Sequence, residues 1–64
     1  MSAILDKWKG IRVLVEGLEL DVHKNASGNA SAGVRARRGL RALKKEAAEL
    51  VKLTIEAEKD RKAK

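Results

Sequence analysis

The 64-residue chain contains no cysteine, no proline and only one aromatic residue, Trp8. It therefore has no disulfide, and its single histidine, His23, is too few to hold a structural metal. Because so short a chain buries only a small core, self-association is the remaining common source of stability. The absence of proline permits long uninterrupted helices.

Membrane-spanning, secreted and enzymatic proteins each need features that this chain lacks. No apolar stretch approaches about 20 residues, and the first residues lack a basic segment followed by an apolar run, so we expect neither a membrane span nor secretion. One distant histidine cannot serve as a base for Ser2, Ser27, Ser31 or Thr54, and no phosphate-cradling motif is present. We predict a single, non-enzymatic domain over residues 1–64, without metal or cofactor.

The charge of the chain is unevenly distributed. Its formal net charge is +6, and the whole excess falls in residues 25–64. Six basic side chains and no acidic one occupy residues 35–45. This distribution indicates a polyanionic partner, with nucleic acid favoured over a membrane surface. The alternative is a basic face that is merely solvated.

Apolar residues near the start of the chain recur at alternating steps of four and three, the spacing that lines one side of a helix. The pattern predicts a helix over about residues 3–23. Gly10 and Gly17 lie inside it, each costing roughly 1 kcal/mol relative to alanine, and the pattern leaves open whether the helix continues through them. The apolar residues are Ile4, Trp8, Ile11, Val15, Leu18 and Val22.

The next segment, KNASGNAS from Lys24 to Ser31, is small and polar with one glycine, which is typical of a turn. We predict a loop over residues 24–30, with Asn29 or Ser31 capping the following helix. A second helical period predicts a long helix over about residues 30–61 and a frayed tail at 60–64. The predicted fold is an all-α, antiparallel two-helix hairpin. The second period consists of Ala36, Leu40, Leu43, Ala47, Leu50, Thr54 and Ala57.

Two helices cannot enclose a core, because each apolar stripe needs cover from more than one direction. Val51 and Ile55 make the second stripe wider than a two-helix seam requires. We therefore predict that two hairpins pair into a dimeric four-helix bundle or coiled coil, as a homodimer or a higher oligomer. The predicted core and dimer residues are Ile4, Trp8, Ile11, Val15, Leu18, Leu40, Leu43 and Leu50.

Five cations of the second helix fall together on a helical wheel drawn at about 100° per residue. They lie beside the apolar stripe, and we call them the basic ridge: Arg37, Arg38, Arg41, Lys44 and Lys45. Arg35 projects separately, nearer the opposite side. A ridge of this kind on a rigid helix can follow a row of phosphates, which arginine binds with a planar fork. We predict that all six side chains contact phosphates.

Four glutamates follow the basic ridge along the second helix. We expect them to form ion pairs with lysines of the same helix at helical spacing. The glutamates are Glu46, Glu49, Glu56 and Glu58, and the lysines are Lys45, Lys52, Lys59 and Lys62.

Half of the chain resembles a known family. The segment GNASAGVRARRGLRALKKEAAELVKLTIEAEK, from Gly28 to Lys59, is similar to the conserved segment of the bacterial linker-histone-like nucleoid proteins first associated with chlamydiae. The resemblance implies nucleoid binding, DNA compaction and a location in the bacterial cytoplasm. Gly33 and Gly39 depart from the family pattern, and the long Lys/Ala/Pro-rich tail of the chlamydial form is absent. The matching residues are Gly28, Asn29, Arg35, Arg37, Leu43, Lys44 and Lys45.

These observations together predict a histone-like protein that binds double-stranded DNA without sequence specificity. The alternative is a coiled-coil interaction module whose basic ridge docks an acidic protein or an anionic membrane surface. A sequence-specific repressor would need a short recognition helix, which the unbroken pattern over residues 30–61 disfavours.

Overall fold

The computed structural model describes residues 2–62, with only the backbone of Lys62, and contains two α-helices. Helix α1 spans Ala3–Ala26 and helix α2 spans Ala30–Lys62. They pack side by side as a hairpin that measures 54 × 18 × 12 Å. The predicted all-helical class is confirmed. Of the predicted tail, residues 60–62 belong to α2, and residues 63–64 lie outside the described part of the chain.

Helix α1 begins at a capping serine and runs without interruption through Gly10 and Gly17. The Ser2 hydroxyl accepts a hydrogen bond from the backbone amide of Leu5. The helix ends three residues later than predicted. The amide of Ser27 donates to the carbonyls of His23 and Lys24, and the amide of Asn29 donates to that of Lys24, so that the turn itself satisfies the last carbonyls of the helix.

The predicted loop of seven residues is in fact a turn of three, Ser27 to Asn29. Gly28 has a φ of 104°, a left-handed conformation that glycine adopts without steric cost. The Oδ1 of Asn29 accepts a hydrogen bond of 2.9 Å from the amide of Ala32. Of the two predicted caps, Asn29 therefore begins α2.

Small residues of α2 face α1 in the part of the hairpin that follows the turn. Ala32 and Ala36 are buried. A methyl group added at Gly33 would meet the side chain of Asn25, and one added at Gly39 would overlap the side chain of Leu18. The two glycines that depart from the family pattern thus leave room for the neighbouring helix.

The core between α1 and α2 is narrow. Ile11 and Leu18 are its large buried members, and Ile4, Leu43 and Leu50 are partly buried. The other residues of the predicted core set, Trp8, Val15 and Leu40, are 49%, 49% and 46% exposed on the single hairpin. Neither helix is long and apolar enough to cross a membrane over the described residues.

Ion pairs join α1 to α2 at two points. The Lys7 Nζ lies 2.6 Å from the Glu46 Oε2 and 2.5 Å from the Glu49 Oε2. The prediction that these two glutamates pair with lysines of their own helix was therefore wrong, because a cation of α1 lies closer. The partner predicted for Glu58, Lys62, falls outside the described side chains.

Candidate nucleic-acid interface

The basic ridge lies on the exposed side of α2. Its five side chains, those of Arg37, Arg38, Arg41, Lys44 and Lys45, are all exposed. The neighbouring residues that turn towards α1 are small or apolar: Ala36, just before the ridge, is buried, and Gly39 and Leu43, between the ridge residues, are partly buried. The helical period therefore sends the cations outwards, along about 12 Å of helix axis at 1.5 Å per residue.

The two carboxylates that follow the basic ridge along α2 bind a cation of α1. Glu46 and Glu49 follow the ridge in sequence, but both bind Lys7 on α1. The hydrogen bond from Lys7 holds the pKa of Glu49 below its ordinary value of 4.5, and the bonds to Glu46 and Glu49 hold the pKa of Lys7 above 10.5. Glu49 and Lys7 are therefore both charged near neutral pH, and Lys7 offsets negative charge that follows the ridge. Within residues 2–61, none of the five ridge side chains forms an ion pair.

Arg35 differs from the five ridge cations. Its Nε donates a hydrogen bond of 3.1 Å to the Oδ1 of Asp21 on α1. Asp21 is the more buried partner, with 22% of its side chain exposed against 54% for Arg35. Of the six cations predicted to contact phosphates, Arg35 therefore has an anionic partner, and the other five have none among the described side chains.

A shallow apolar depression runs between the helices, to one side of the ridge. It is lined by Val15, Leu18, Val22, Leu40 and Leu43, with Glu19 and His23 at its rim. Trp8 lies two helical turns before Val15 on the same side of α1. The half-exposed members of the predicted core set therefore lie together along one side of the hairpin.

The family comparison bears on the whole hairpin. The family model of histone H1-like protein Hc1 matches residues 5–60. The chain belongs to this family. The Hc1 match confirms the resemblance predicted from Gly28 to Lys59 and extends it through most of α1. A histone H1-like family is not a family of enzymes. Neither the curated proteins nor the solved structures include one that is similar to this chain.

The Hc1-family pattern did not reveal the residues that join the two helices. Sequence reasoning missed both inter-helix ion pairs, Lys7 with Glu46 and Glu49, and Asp21 with Arg35. A signal for them existed in the position of the turn. Asp21 and Arg35 are equally distant from Gly28 along the chain, as are Lys7 and Glu49. In an antiparallel hairpin centred on Gly28 such residues lie opposite each other, because the two helices rise equally per residue.

The described part of this Hc1-family chain contains no cluster of potential metal ligands. Over those residues, no three potential ligands of the histidine, cysteine, aspartate and glutamate types come together. The features that remain are the basic ridge, the inter-helix ion pairs and the apolar depression.

Proposed function

We propose that this member of the Hc1 family binds double-stranded DNA without sequence specificity and compacts it in the nucleoid of a bacterial cytoplasm. The observation that carries the proposal is the basic ridge, five exposed cations on one helix whose neighbouring carboxylates are paired with Lys7 of the other helix. The histone H1-like family supports the choice of DNA over other polyanions.

Binding proceeds through the phosphate backbone. Each phosphate that a ridge side chain neutralises releases condensed counterions, which drives association at low salt. The three arginines of the ridge present planar forks that match a phosphate, and the two lysines add point charges. Phosphate contacts set position and orientation but carry no base sequence.

Base readout has little support in this structure. The one aromatic residue, Trp8, lies on the side of the apolar depression and not among the ridge residues, so it offers no stacking platform beside them. Helix α2 is one continuous element of 33 residues, unlike the short recognition helix of a helix-turn-helix protein.

A homodimer is the second part of the proposal, with the apolar depression as the contact between two copies. Large apolar side chains, Trp8, Val15 and Leu40 among them, are half exposed on the single hairpin, which is more than a stable 64-residue chain without disulfides is expected to leave uncovered. When α1 of each copy covers α2 of the other, the two ridges lie on opposite sides of a four-helix bundle. Such a dimer holds two duplexes at once, which accounts for compaction.

Replacement of ridge arginines tests the DNA-binding part. Arg37, Arg38 and Arg41 are changed together to alanine, and affinity for two duplexes of unrelated sequence is measured by fluorescence anisotropy. We expect a similar loss of affinity for both duplexes, because phosphates are common to all sequences.

The matched control removes the same charge elsewhere, by changing Lys9, Arg12 and Lys59 to alanine. These cations are exposed and lie outside the ridge. An equal loss in the control contradicts the ridge proposal and leaves only net charge as the cause. If the unmodified protein binds anionic vesicles and not duplex DNA, the docking alternative is favoured instead.

A further inference from the structure

Arg35 is the one cation of residues 35–45 that the fold joins to an acidic side chain of the other helix. The hydrogen bond from its Nε to the Oδ1 of Asp21 spans 3.1 Å and links the start of α2 to the last third of α1. The Asp21 side chain is 22% exposed, so it is partly covered by the hairpin. The pair thus joins the two helices through a half-exposed guanidinium group and a partly covered carboxylate.

We propose that the ion pair with Asp21 keeps Arg35 from contacting DNA phosphates. The protein then binds DNA through the five ridge cations, while Arg35 stays paired within the hairpin. This inference rests on the proposed function. A carboxylate and a phosphate are the same kind of acceptor for a guanidinium group. Asp21 therefore occupies the Nε donor, one of the five N–H donors of the guanidinium group, and pairs the positive charge of Arg35 with a carboxylate.

Transfer of Arg35 from Asp21 to a phosphate is disfavoured for two reasons. The partly buried carboxylate of Asp21 would lose a charge-assisted partner, which is costly for a group with reduced access to water. That carboxylate would also remain close to the DNA as an uncompensated like charge.

The inference is tested by measuring the affinity for duplex DNA at several salt concentrations. The slope of log affinity against log salt gives the number of phosphates that the protein neutralises. Asp21→Asn keeps the shape of the side chain and removes its charge. We expect the slope of log affinity against log salt to steepen by about 0.9, the contribution of one additional phosphate. Between 50 and 200 mM salt, the variant then loses about threefold more affinity than the unmodified protein.

Arg35→Ala, made in both backgrounds, shows whether the added contact is Arg35. In the Asp21→Asn background it should remove the extra slope of about 0.9, and in the unmodified background it should change the slope by much less. The matched control is Glu16→Gln, which removes one negative charge from an exposed position of α1. It should leave the slope unchanged. Circular dichroism confirms that each variant keeps its helices.

Two results overturn the inference. One is an Asp21→Asn slope equal to that of Glu16→Gln. The other is a loss of about 0.9 in slope when Arg35→Ala is made in the unmodified protein, which would show that Arg35 already neutralises a phosphate. If the unmodified protein fails to bind duplex DNA at any salt, the proposed function falls and this inference with it.

Discussion

Lys7 binds two carboxylates of the opposite helix. It has two effects at the scale of the residue. It ties the first third of α1 to α2, and it compensates Glu46 and Glu49 where they adjoin the basic ridge. Asp21 and Arg35 form a pair of reversed polarity nearer the turn, so a hairpin shifted far from this register would lose both groups of ion pairs.

The Lys7 cluster predicts how stability depends on pH. The pKa of Glu49 is lowered, so its contribution is present above 4.5 and is lost as the pH falls through the lower folded value. The pKa of Lys7 is raised, so its contribution is present below 10.5 and is lost only as the pH rises through the higher folded value. Lys7→Met should therefore lower the thermal midpoint near neutral pH, and the difference from the unmodified protein should shrink as the pH falls below 4.5.

Thermal unfolding followed by circular dichroism, at one protein concentration and several pH values, checks this prediction. Lys9→Met is the matched control, because Lys9 is exposed and forms no ion pair within the described residues. A Lys7→Met midpoint that stays equal to that of the control near neutral pH would show that the cluster contributes nothing to stability.

At the scale of the helix, the glycines inside α1 and α2 are not equivalent. A methyl group added at Gly10 meets no atom within 4 Å, whereas one added at Gly39 overlaps the buried side chain of Leu18. Gly10→Ala should stabilise the protein by about 1 kcal/mol through helix propensity. Gly39→Ala makes the same gain, but overpacking costs about 1–3 kcal/mol, so the net effect should be a loss of stability.

Urea unfolding of the two alanine variants separates these effects, since the chemical change is identical and only the surroundings differ. We expect the unfolding midpoint to rise for Gly10→Ala and to fall for Gly39→Ala. An equal rise in both would mean that the helices are farther apart at Gly39 than the structure has them.

The two α-helices and the position of the turn between them were predictable from the sequence, because apolar spacing and turn residues are local signals. The predicted end of α1 was wrong although Gly28 marks the true end, because a left-handed glycine after the C-cap lets the amides of Gly28 and Asn29 bond the carbonyls of Asn25 and Lys24. Which residues of α1 lie opposite which residues of α2 depends on the register of the two helices. The apolar stripe of each helix does not define that register. For the same reason the sequence did not distinguish Ile11, buried in the hairpin, from Val15, half exposed beside the apolar depression.

At the scale of the whole molecule, the proposed dimer predicts a mass in solution twice the 7.0 kDa of the chain. Val15→Glu or Leu40→Glu should shift the protein towards the monomer, because either places a charge in the apolar depression. Val13→Glu is the matched control. Val13 is 68% exposed and does not line that depression.

Sedimentation equilibrium, with and without DNA, measures these masses. A monomeric unmodified protein at micromolar concentration would contradict the dimer. Dissociation by Val13→Glu alone would place the contact on another side of the hairpin.

The central claim is that a continuous ridge of five cations binds phosphates whatever the base sequence. The most direct test is the affinity of the unmodified protein for two unrelated duplexes across a range of salt concentrations. We predict linear plots of log affinity against log salt, with the same slope for both duplexes. Each ridge that binds DNA contributes about −4.5 to that slope. A slope near zero, or affinity confined to one of the two sequences, would contradict the account.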